Sequence, residues 1–225
     1  MDQRYDVVIV GGGAIGSAVA YFLAAEPGFH GTVAVIERDP SYATASSALS
    51  ASSIRQQFST PANIAMSRFG LEFLKSDALA VDGETPDFGL REAGYLYLAP
   101  PAGRPVLERN HAVQRAAGAD VALLEPAPLA ERFPWLSTEG VALGSLGLTG
   151  EGWFDGYGLL QAFRRKARSL GVEYLAAEVA GIELAGGRVA AAVLADGRRI
   201  GCGALVNAAG PHARAVAAMA GLELP

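Results

Sequence analysis

The chain has 225 residues, a formal net charge of -5, 51% hydrophobic residues and 18% charged residues, enough for a large domain, or one and part of a second, with a substantial core. The negative charge argues against a nucleic-acid-binding surface. A single cysteine, Cys202, excludes an intramolecular disulfide framework, and the three scattered histidines do not have the spacing of metal ligands. No apolar run reaches membrane-spanning length without glycine or charge, and the chain enters a strand almost at once, so we expect a cytoplasmic protein without a signal or transit peptide.

The first forty residues predict a β-α-β unit. Val7–Val10 is a short β-branched run of the kind that forms a buried parallel strand, and residues 32–36 form a second such run. Between them a helix begins at Ala14 and stops before Pro27. Apolar residues at helix spacing support it: Ile15, Val19, Phe22 and Leu23. The unit has the size of a right-handed crossover.

The remaining elements follow in chain order. Residues 41–53 are rich in Ser, Ala and Thr without a period, which by composition favours a loop. Helices are predicted from Pro61, after a Thr60 cap and with an apolar face of Ile64, Phe69 and Phe73, and at 105–117, 126–135 and 155–170. Strands are predicted at 94–99, 172–175, 179–184, 188–195, 199–202 and 204–210.

The helix at 155–170 carries a basic run on one side. Its apolar face comprises Leu159, Leu160, Phe163, Ala167 and Leu170, and the basic residues are Arg164, Arg165, Lys166 and Arg168. We interpret the basic side as a solvated helix face rather than a partner site.

Two features of the first unit predict dinucleotide binding. Gly11-x-Gly13-x-x-Gly16 follows a strand and opens a helix, where Gly11 permits a tight turn, Gly13 lets a pyrophosphate approach and Gly16 lets the helix pack closely. The helix N-terminus favours the phosphates. Glu37, at the end of the second strand, suits the hydroxyls of an adenosine ribose and would repel a 2′-phosphate, so NADP is disfavoured. The pattern by itself leaves FAD and NAD open.

Later segments make the sequence resemble the FAD-dependent family that includes D-amino-acid oxidase, glycine oxidase and sarcosine oxidase. The resemblance spans nearly the whole chain, in the family's order. The segments that carry it are Asp6 to Gly16 (DVVIVGGGAIG), Val35 to Arg38 (VIER), Ala45 to Ser52 (ASSALSAS), Ser53 to Phe58 (SIRQQF), Glu151 to Asp155 (EGWFD) and Val206 to Pro211 (VNAAGP). In that family the serine-rich segment wraps the cofactor, which replaces the flexible-loop interpretation of residues 45–52.

The resemblance implies an α/β fold, with a Rossmann-like FAD-binding domain and part of a second, mixed-sheet substrate domain. The expected organisation is 1–88 and 151–225 for the FAD-binding domain and 89–150 for the partial substrate domain. FAD is the implied cofactor, with no metal. Its implied binding residues are Gly11, Gly13, Ala14, Ile15, Gly16, Glu37, Arg38, Ala45, Ser46, Ser50, Ala51, Ser52, Val179, Ala208, Ala209 and Gly210.

The resemblance further implies oxidation of the C–N bond of an amino acid or secondary amine, by hydride transfer to flavin N5. Arg55 matches an arginine of the family's flavin-site segment and would clamp a substrate carboxylate, although a surface or ion-pair role stays equally open. Tyr95 and Tyr97 either line the pocket or pack in the sheet. His212 stands where many relatives have an aromatic residue, and we expect a polar surface or flavin-edge role rather than a catalytic one.

Members of this family are usually much longer than this chain. A missing C-terminal half or a second chain is therefore expected to complete the substrate domain, and the isolated chain is expected to have weak or no turnover. The expected partner is otherwise a small amine or amino acid, with no nucleic acid and no transmembrane segment. The alternatives are a non-catalytic FAD-binding subunit or assembly factor, and an NAD-dependent dehydrogenase.

Overall fold

A computed structural model describes residues 3–224. The strands are β1 (Gln3–Val10), β2 (Val33–Glu37), β3 (Ser53–Ile54), β4 (Leu96–Ala99), β5 (Val121–Leu124), β6 (Leu143–Gly147), β7 (Gly152–Trp153), β8 (Glu173–Ala176), β9 (Val179–Ala185), β10 (Arg188–Leu194) and β11 (Arg199–Asn207). The helices are α1 (Ala14–Ala25), α2 (Pro61–Leu74), α3 (Arg104–Ala116), α4 (Pro126–Arg132), α5 (Gly156–Ser169) and α6 (Ala213–Met219). Among these residues no helix combines the length and the apolar character needed to cross a bilayer.

The contacts divide the chain into two compact units. The first comprises the residues up to Ser50, Leu79–Pro86 and the residues from Gly156 onward, and the second comprises Ala51–Ala78 and Asp87–Asp155. These units place residues 51–78 with the middle of the chain. The domain organisation expected from the sequence, 1–88, 89–150 and 151–225, stays a prediction.

The first unit is built on a six-stranded mixed sheet in the order β8-β2-β1-β11-β10-β9. Strands β8, β2, β1 and β11 are parallel, while β10 is antiparallel to both of its neighbours. Val8 and Ile9 of β1 have no exposed surface, as expected of a parallel strand covered on both faces. The predicted β-α-β unit and the mixed α/β fold class are therefore confirmed.

Helix α1 buries a different side from the one its apolar residues suggest. Its buried residues are Gly16, Ser17, Ala20 and Tyr21, whereas Ile15 is 72% exposed and Phe22 is 45% exposed. The small residues let α1 lie close to its neighbours, and it packs against α5, where the rings of Tyr21 and Phe163 are 5.7 Å apart. Close helix packing thus takes precedence over apolar side-chain area on this helix.

Helix α5 follows its predicted pattern with two differences. Leu160, Phe163 and Ala167 are buried, but Leu170 follows the last residue of the helix and is 41% exposed. Arg164 is not on a fully solvated face, because its guanidinium lies 5.6 Å from the centroids of both the Tyr42 ring and the Tyr174 ring. The expectation of a solvated basic face is wrong for Arg164.

The two strands predicted at 199–202 and 204–210 form one strand, β11, which ends at Asn207. Its pairing with β1 continues through the glycine between them, from Tyr5 opposite Cys202 to Val7 opposite Ala204. A Cβ atom on Gly203 would lie 3.0 Å from the carbonyl oxygen of Asp6. The glycine therefore permits close approach of the two strands instead of ending one.

The second unit contains a three-stranded antiparallel sheet in the order β4-β6-β5 and the short antiparallel pair β3-β7. Sequence patterning missed β5 and β6; β6 reads Leu-Gly-Ser-Leu-Gly, so its glycines hide the alternation of a strand.

In α2, Ile64 is buried as expected, but Phe69 is 57% exposed, so the predicted apolar face is wrong at Phe69.

Candidate functional site

The first unit contains a cavity of about 310 Å³ where its parallel strands end. Val10 at the end of β1, Glu37 at the end of β2 and Ala208 just after β11 all line it. The carboxyl edge of a parallel sheet is where α/β proteins bind their ligands. The cavity therefore lies at the position that the fold favours for a ligand.

The three glycines of the turn have different tasks. Gly11 has a φ of 97°, and a Cβ atom there would lie 2.5 Å from the carbonyl oxygen of Ala208. A Cβ atom on Gly16 would lie 1.9 Å from the carbonyl oxygen of Gly11. Near Gly13 the only atom within 4 Å of such a Cβ, among the described residues, is Ser47 Oγ at 3.4 Å. Gly11 and Gly16 thus serve packing, while Gly13 leaves room for a ligand to approach the backbone.

The Glu37 carboxylate is held in place by two backbone donors. Its Oε2 accepts a hydrogen bond from the Gly12 N–H at 2.7 Å, and its Oε1 accepts one from the Asp39 N–H at 2.8 Å. Each carboxylate oxygen can accept a second hydrogen bond. Glu37 is therefore oriented in the cavity wall with acceptor capacity left for two hydroxyl groups.

The segment after Glu37 folds as a series of turns against the glycine turn. The Ala14 N–H donates to Ser47 Oγ at 3.4 Å, which joins this segment to the start of α1. Ala45 and Ser46 line the cavity, and so do Thr44 and Ser47, which were not among the individually predicted binding residues. The run of small and hydroxyl-bearing residues in this segment is visible in the sequence. Which of them face the cavity is decided by how the segment folds against the glycine turn.

Tyr42 is a cavity-lining residue that sequence patterning missed. It is 1% exposed, has a φ of 57°, and its hydroxyl has no hydrogen-bond partner in the described part of the chain. Burial raises the pKa of Tyr42 to about 12, although the neighbouring Arg164 acts in the opposite direction. The hydroxyl therefore stays protonated at neutral pH. A left-handed backbone at an aromatic residue is uncommon and marks this turn as constrained.

The opposite wall of the cavity comes from Val179, at the start of β9, and from the turn after β11. His212 lies in this wall, and its Nε2 is 2.7 Å from an Nη2 nitrogen of Arg38. An arginine can only donate, so His212 accepts through Nε2 in this pair. The expectation of a polar role for His212 agrees with this contact.

Most residues predicted to bind the cofactor line this one cavity: Gly11, Gly13, Ala14, Ile15, Glu37, Arg38, Ala45, Ser46, Val179, Ala208, Ala209 and Gly210. Gly16 is buried in α1, and Gly16, Ser50, Ala51 and Ser52 are not among the residues that line the cavity. The role of each of these residues in binding stays a prediction.

The second unit has a cavity of its own, of about 350 Å³, around Arg55. The guanidinium of Arg55 donates to the Tyr97 hydroxyl at 2.6 Å and lies 5.0 Å from the centroid of the Phe58 ring. The Tyr95 hydroxyl donates to Ser53 Oγ at 2.7 Å, and the Tyr95 and Tyr97 rings stack with centroids 6.1 Å apart. The structure thus brings the predicted Arg55 together with both tyrosines of the β4 region.

No group of three or more His, Cys, Asp or Glu side chains with the arrangement of a metal site occurs in residues 3–224.

Parallel strands β8, β2, β1 and β11, a glycine turn leading into α1 and a fixed carboxylate at the end of β2 are the features of the α/β dinucleotide-binding class of folds. Residues 6–225 match the family model described as FAD dependent oxidoreductase, and the chain belongs to this family. The family assignment made from the sequence is therefore confirmed.

Named relatives agree with this assignment. The chain is 43% identical to the FAD-dependent oxidoreductase domain-containing protein 1 of Xenopus laevis over an alignment of 246 residues. That alignment covers 98% of this chain and 49% of the relative. It is 31% identical to sarcosine oxidase subunit beta of Rhizobium meliloti (strain 1021), over 99% of this chain and 53% of the relative. The chain therefore spans about half the length of these relatives.

Solved structures give the same picture. The L-proline dehydrogenase from P. horikoshii superposes with a TM-score of 0.85 at 27% identity, covering 100% of this chain and 58% of that one.

Proposed function

We propose that the protein to which this chain belongs binds FAD and oxidises the C–N bond of an amino acid or secondary amine. Support for the substrate class comes from sarcosine oxidase subunit beta and L-proline dehydrogenase, whose names denote secondary amines that carry a carboxylate. The observation on which the proposal mainly rests is the unpaired guanidinium of Arg55 beside a cavity.

FAD fits the residues of the first unit. The space in front of Gly13 suits a pyrophosphate at the start of α1, where the helix dipole favours negative charge. Glu37 would accept hydrogen bonds from the ribose hydroxyls, and Val179 would meet the adenine. Small residues after β11, Ala208 and Ala209, allow close approach of the cofactor.

Replacing Glu37 by Gln tests the cofactor part of this proposal. The variant keeps the size of the side chain, but one of the two oxygens that accept a backbone N–H becomes an NH2 group, which can only donate. We therefore expect FAD to bind about tenfold more weakly. The measurement is titration of the full-length apoprotein with FAD, followed by flavin fluorescence. Glu178→Gln, which changes another carboxylate of the same cavity wall, is the control and should stay within about twofold. Equal affinities in the two variants would argue against Glu37 as the ribose ligand.

Arg55 is the candidate residue for the substrate carboxylate. No carboxylate lies within ion-pair distance of it in residues 3–224; instead, Arg55 contacts the Tyr97 hydroxyl and the Phe58 ring. Since Tyr97 accepts from Arg55, its own proton is free to point at a second acceptor. An unpaired guanidinium and a phenol together offer a carboxylate a two-point site.

In the proposed oxidation, the residues around Arg55 would bind and orient the substrate while FAD supplies the redox chemistry. Bound FAD supplies the hydride acceptor for the carbon that carries the nitrogen. Arg55 and Tyr97 would hold the carboxylate and so fix the orientation of the neighbouring carbon. Phe58 and Tyr95 line the cavity beside Arg55. The positive guanidinium of Arg55 would disfavour the ammonium form of a bound amine, and hydride loss requires the neutral amine.

Replacing Arg55 tests the substrate part of the proposal. In Arg55→Met we expect the apparent Kd for a carboxylate-bearing amine such as sarcosine or L-proline to rise about 50-fold, since a charge-assisted two-point pair is lost. Arg55→Lys should recover part of this loss because it keeps the charge without the planar fork. The measurement is anaerobic bleaching of the flavin in the full-length protein. Arg68→Met, a change at an exposed arginine of α2 that donates to the Ala117 carbonyl, is the matched control.

Two results would overturn the proposal. Flavin that binds but is reduced by neither sarcosine, L-proline nor other amino acids would favour a non-catalytic FAD-binding subunit or assembly factor. Protein that purifies with NAD and without flavin absorbance would favour a dehydrogenase.

We further propose that a C-terminal segment or a second chain completes the substrate domain. Supporting observations are the coverage of only about half of each relative and the open edges of the β4-β6-β5 sheet. In the second unit, Trp153 is 53% exposed and Leu98, on the edge strand β4, is 40% exposed.

Location in the cytoplasm stays a prediction.

A further inference from the structure

Glu151 is a buried charged residue that the proposed reaction does not use. It has no exposed surface, and in the described part of the chain no Lys, Arg or His lies within ion-pair distance of it. Burying a carboxylate costs free energy unless its oxygens are satisfied. An apolar residue of similar volume would carry no such cost, so the position of this charge needs a reason.

Among residues 3–224, the hydrogen-bond donors to the Glu151 carboxylate come from the two residues that follow Arg55. Its Oε1 accepts the backbone N–H of Gln56 at 2.5 Å and that of Gln57 at 3.0 Å, and its Oε2 accepts the Gln57 side-chain amide at 2.8 Å. Two consecutive N–H groups on one oxygen fix the direction of the backbone there. Glu151 therefore holds the segment that carries Arg55.

The side chain of Gln57 extends this connection into the sheet of the second unit. Its Nε2 also donates to the Tyr95 carbonyl oxygen at 2.9 Å, and its Oε1 accepts from the Ser145 hydroxyl at 2.6 Å. With two acceptors on the nitrogen and a donor on the oxygen, the orientation of this amide is determined. The Arg55 segment is thereby tied to β6 and to Tyr95, the residue before β4, and Tyr97 on β4 is the partner of Arg55.

The surrounding glycines leave space for this arrangement. A Cβ atom on Gly147 would lie 1.8 Å from Glu151 Oε2, and one on Gly150 would lie 2.3 Å from the Gln56 side-chain nitrogen. The Gln56 side chain uses that space to donate to the Gly150 carbonyl oxygen at 3.2 Å. The local sequence thus accommodates Glu151 at the expense of side chains that would fill the core.

We propose that Glu151 is the positioning residue of the carboxylate subsite, acting on the substrate through Arg55. This rests on the proposed function, in which Arg55 binds the substrate carboxylate. Without the Glu151 carboxylate, the N–H groups of Gln56 and Gln57 lose their buried acceptor and the segment shifts. A small displacement of the guanidinium is enough to misalign a two-point contact with a carboxylate.

The test compares binding of benzoate and of its neutral isostere benzamide to the full-length flavoprotein, followed by perturbation of the flavin absorbance. In Glu151→Gln we expect benzoate to bind about tenfold more weakly while benzamide binding changes less than about twofold. A general loss of structure would weaken both ligands equally. Glu92→Gln is the matched control, since Glu92 accepts the Gly150 N–H at 2.7 Å and pairs with Lys75 but makes no hydrogen bond to residues 55–57.

Ser145→Ala covers the case in which Glu151→Gln does not fold. It removes one hydrogen bond to Gln57 and should weaken benzoate about threefold, again without affecting benzamide. Unchanged benzoate affinity in a folded Glu151→Gln, or in Ser145→Ala if only that variant folds, would overturn the positioning role and leave the Arg55 subsite standing. Absence of benzoate binding in the unmodified protein, or an unchanged affinity in Arg55→Met, would overturn the subsite and the positioning role with it.

Discussion

Gly16→Ala is expected to remove FAD binding and to destabilise the first unit by about 3 kcal/mol, a drop in Tm of roughly 9 °C for a unit within a chain of this size. The new methyl group would lie 1.9 Å from the carbonyl oxygen of Gly11, which is backbone and cannot rotate away. Helix α1 would have to move off the turn, and the phosphate-binding geometry at its N-terminus would be lost. Thermal unfolding and flavin content of the purified full-length protein measure both effects.

Two further glycine variants separate the causes. Gly181→Ala makes the same chemical change in the same unit, but its Cβ atom would be 3.7 Å from the nearest atom, on Val193, so stability and flavin content should stay near wild type. Gly13→Ala should preserve the Tm, because in residues 3–224 the nearest atom to its Cβ atom is Ser47 Oγ at 3.4 Å, yet it should weaken FAD binding. Wild-type flavin content in Gly16→Ala would contradict the assigned packing role of this glycine.

Gly152→Ala is expected to destabilise the second unit by about 3 kcal/mol and to weaken carboxylate binding at Arg55. The methyl group would lie 1.8 Å from the Arg91 carbonyl oxygen and 3.0 Å from the Ala93 nitrogen. Arg91 exchanges two backbone hydrogen bonds with Trp153, at 2.9 and 3.1 Å, and Gly152 pairs with Ile54, the residue before Arg55. Thermal unfolding and benzoate binding by the full-length protein are the measurements.

Gly70→Ala gives the matched control with the opposite sign. Gly70 lies inside α2, and its nearest neighbour would be the Ile54 side chain at 3.8 Å, so the helix accepts the methyl group without strain. Alanine is favoured over glycine in a helix interior by about 0.5–1 kcal/mol. A Gly152→Ala protein as stable as Gly70→Ala would show that β7 has room to relax.

Local sequence patterns predicted the first unit well, for identifiable reasons. The strand at Val7–Val10 and the helix from Ala14 are short-range features. A run of branched residues predicts the strand, and apolar residues at helix spacing predict the helix. Gly16 is needed for a contact with Gly11 inside the same turn, whereas the contact of Gly11 with Ala208 comes from the far end of the chain. The spacing of the glycines and of Glu37 therefore indicates the position of the turn and of the carboxylate from the sequence, while their binding roles stay predictions.

Patterns were less informative where a residue's surroundings come from distant parts of the chain. Phe22 and Phe69 belong to apolar helix patterns and are nevertheless exposed, because periodicity shows that a helix has an apolar side but not which side its neighbours cover. The position of Tyr42 in the cavity wall had no local signal, since its contact with Arg164 spans more than half of the chain.

The amino-acid sequence by itself determined the β-α-β unit, the glycine turn, the carboxylate at the end of β2 and the family, because these depend on residue types at short, fixed spacings. Only the tertiary structure decided that Glu151 lies behind Arg55 and that Tyr97 lies beside it. Those contacts join residues 42 or more positions apart, such as Gln57 and Glu151 at a separation of 94. Their geometry arises from sheet pairing and burial, which no local pattern records.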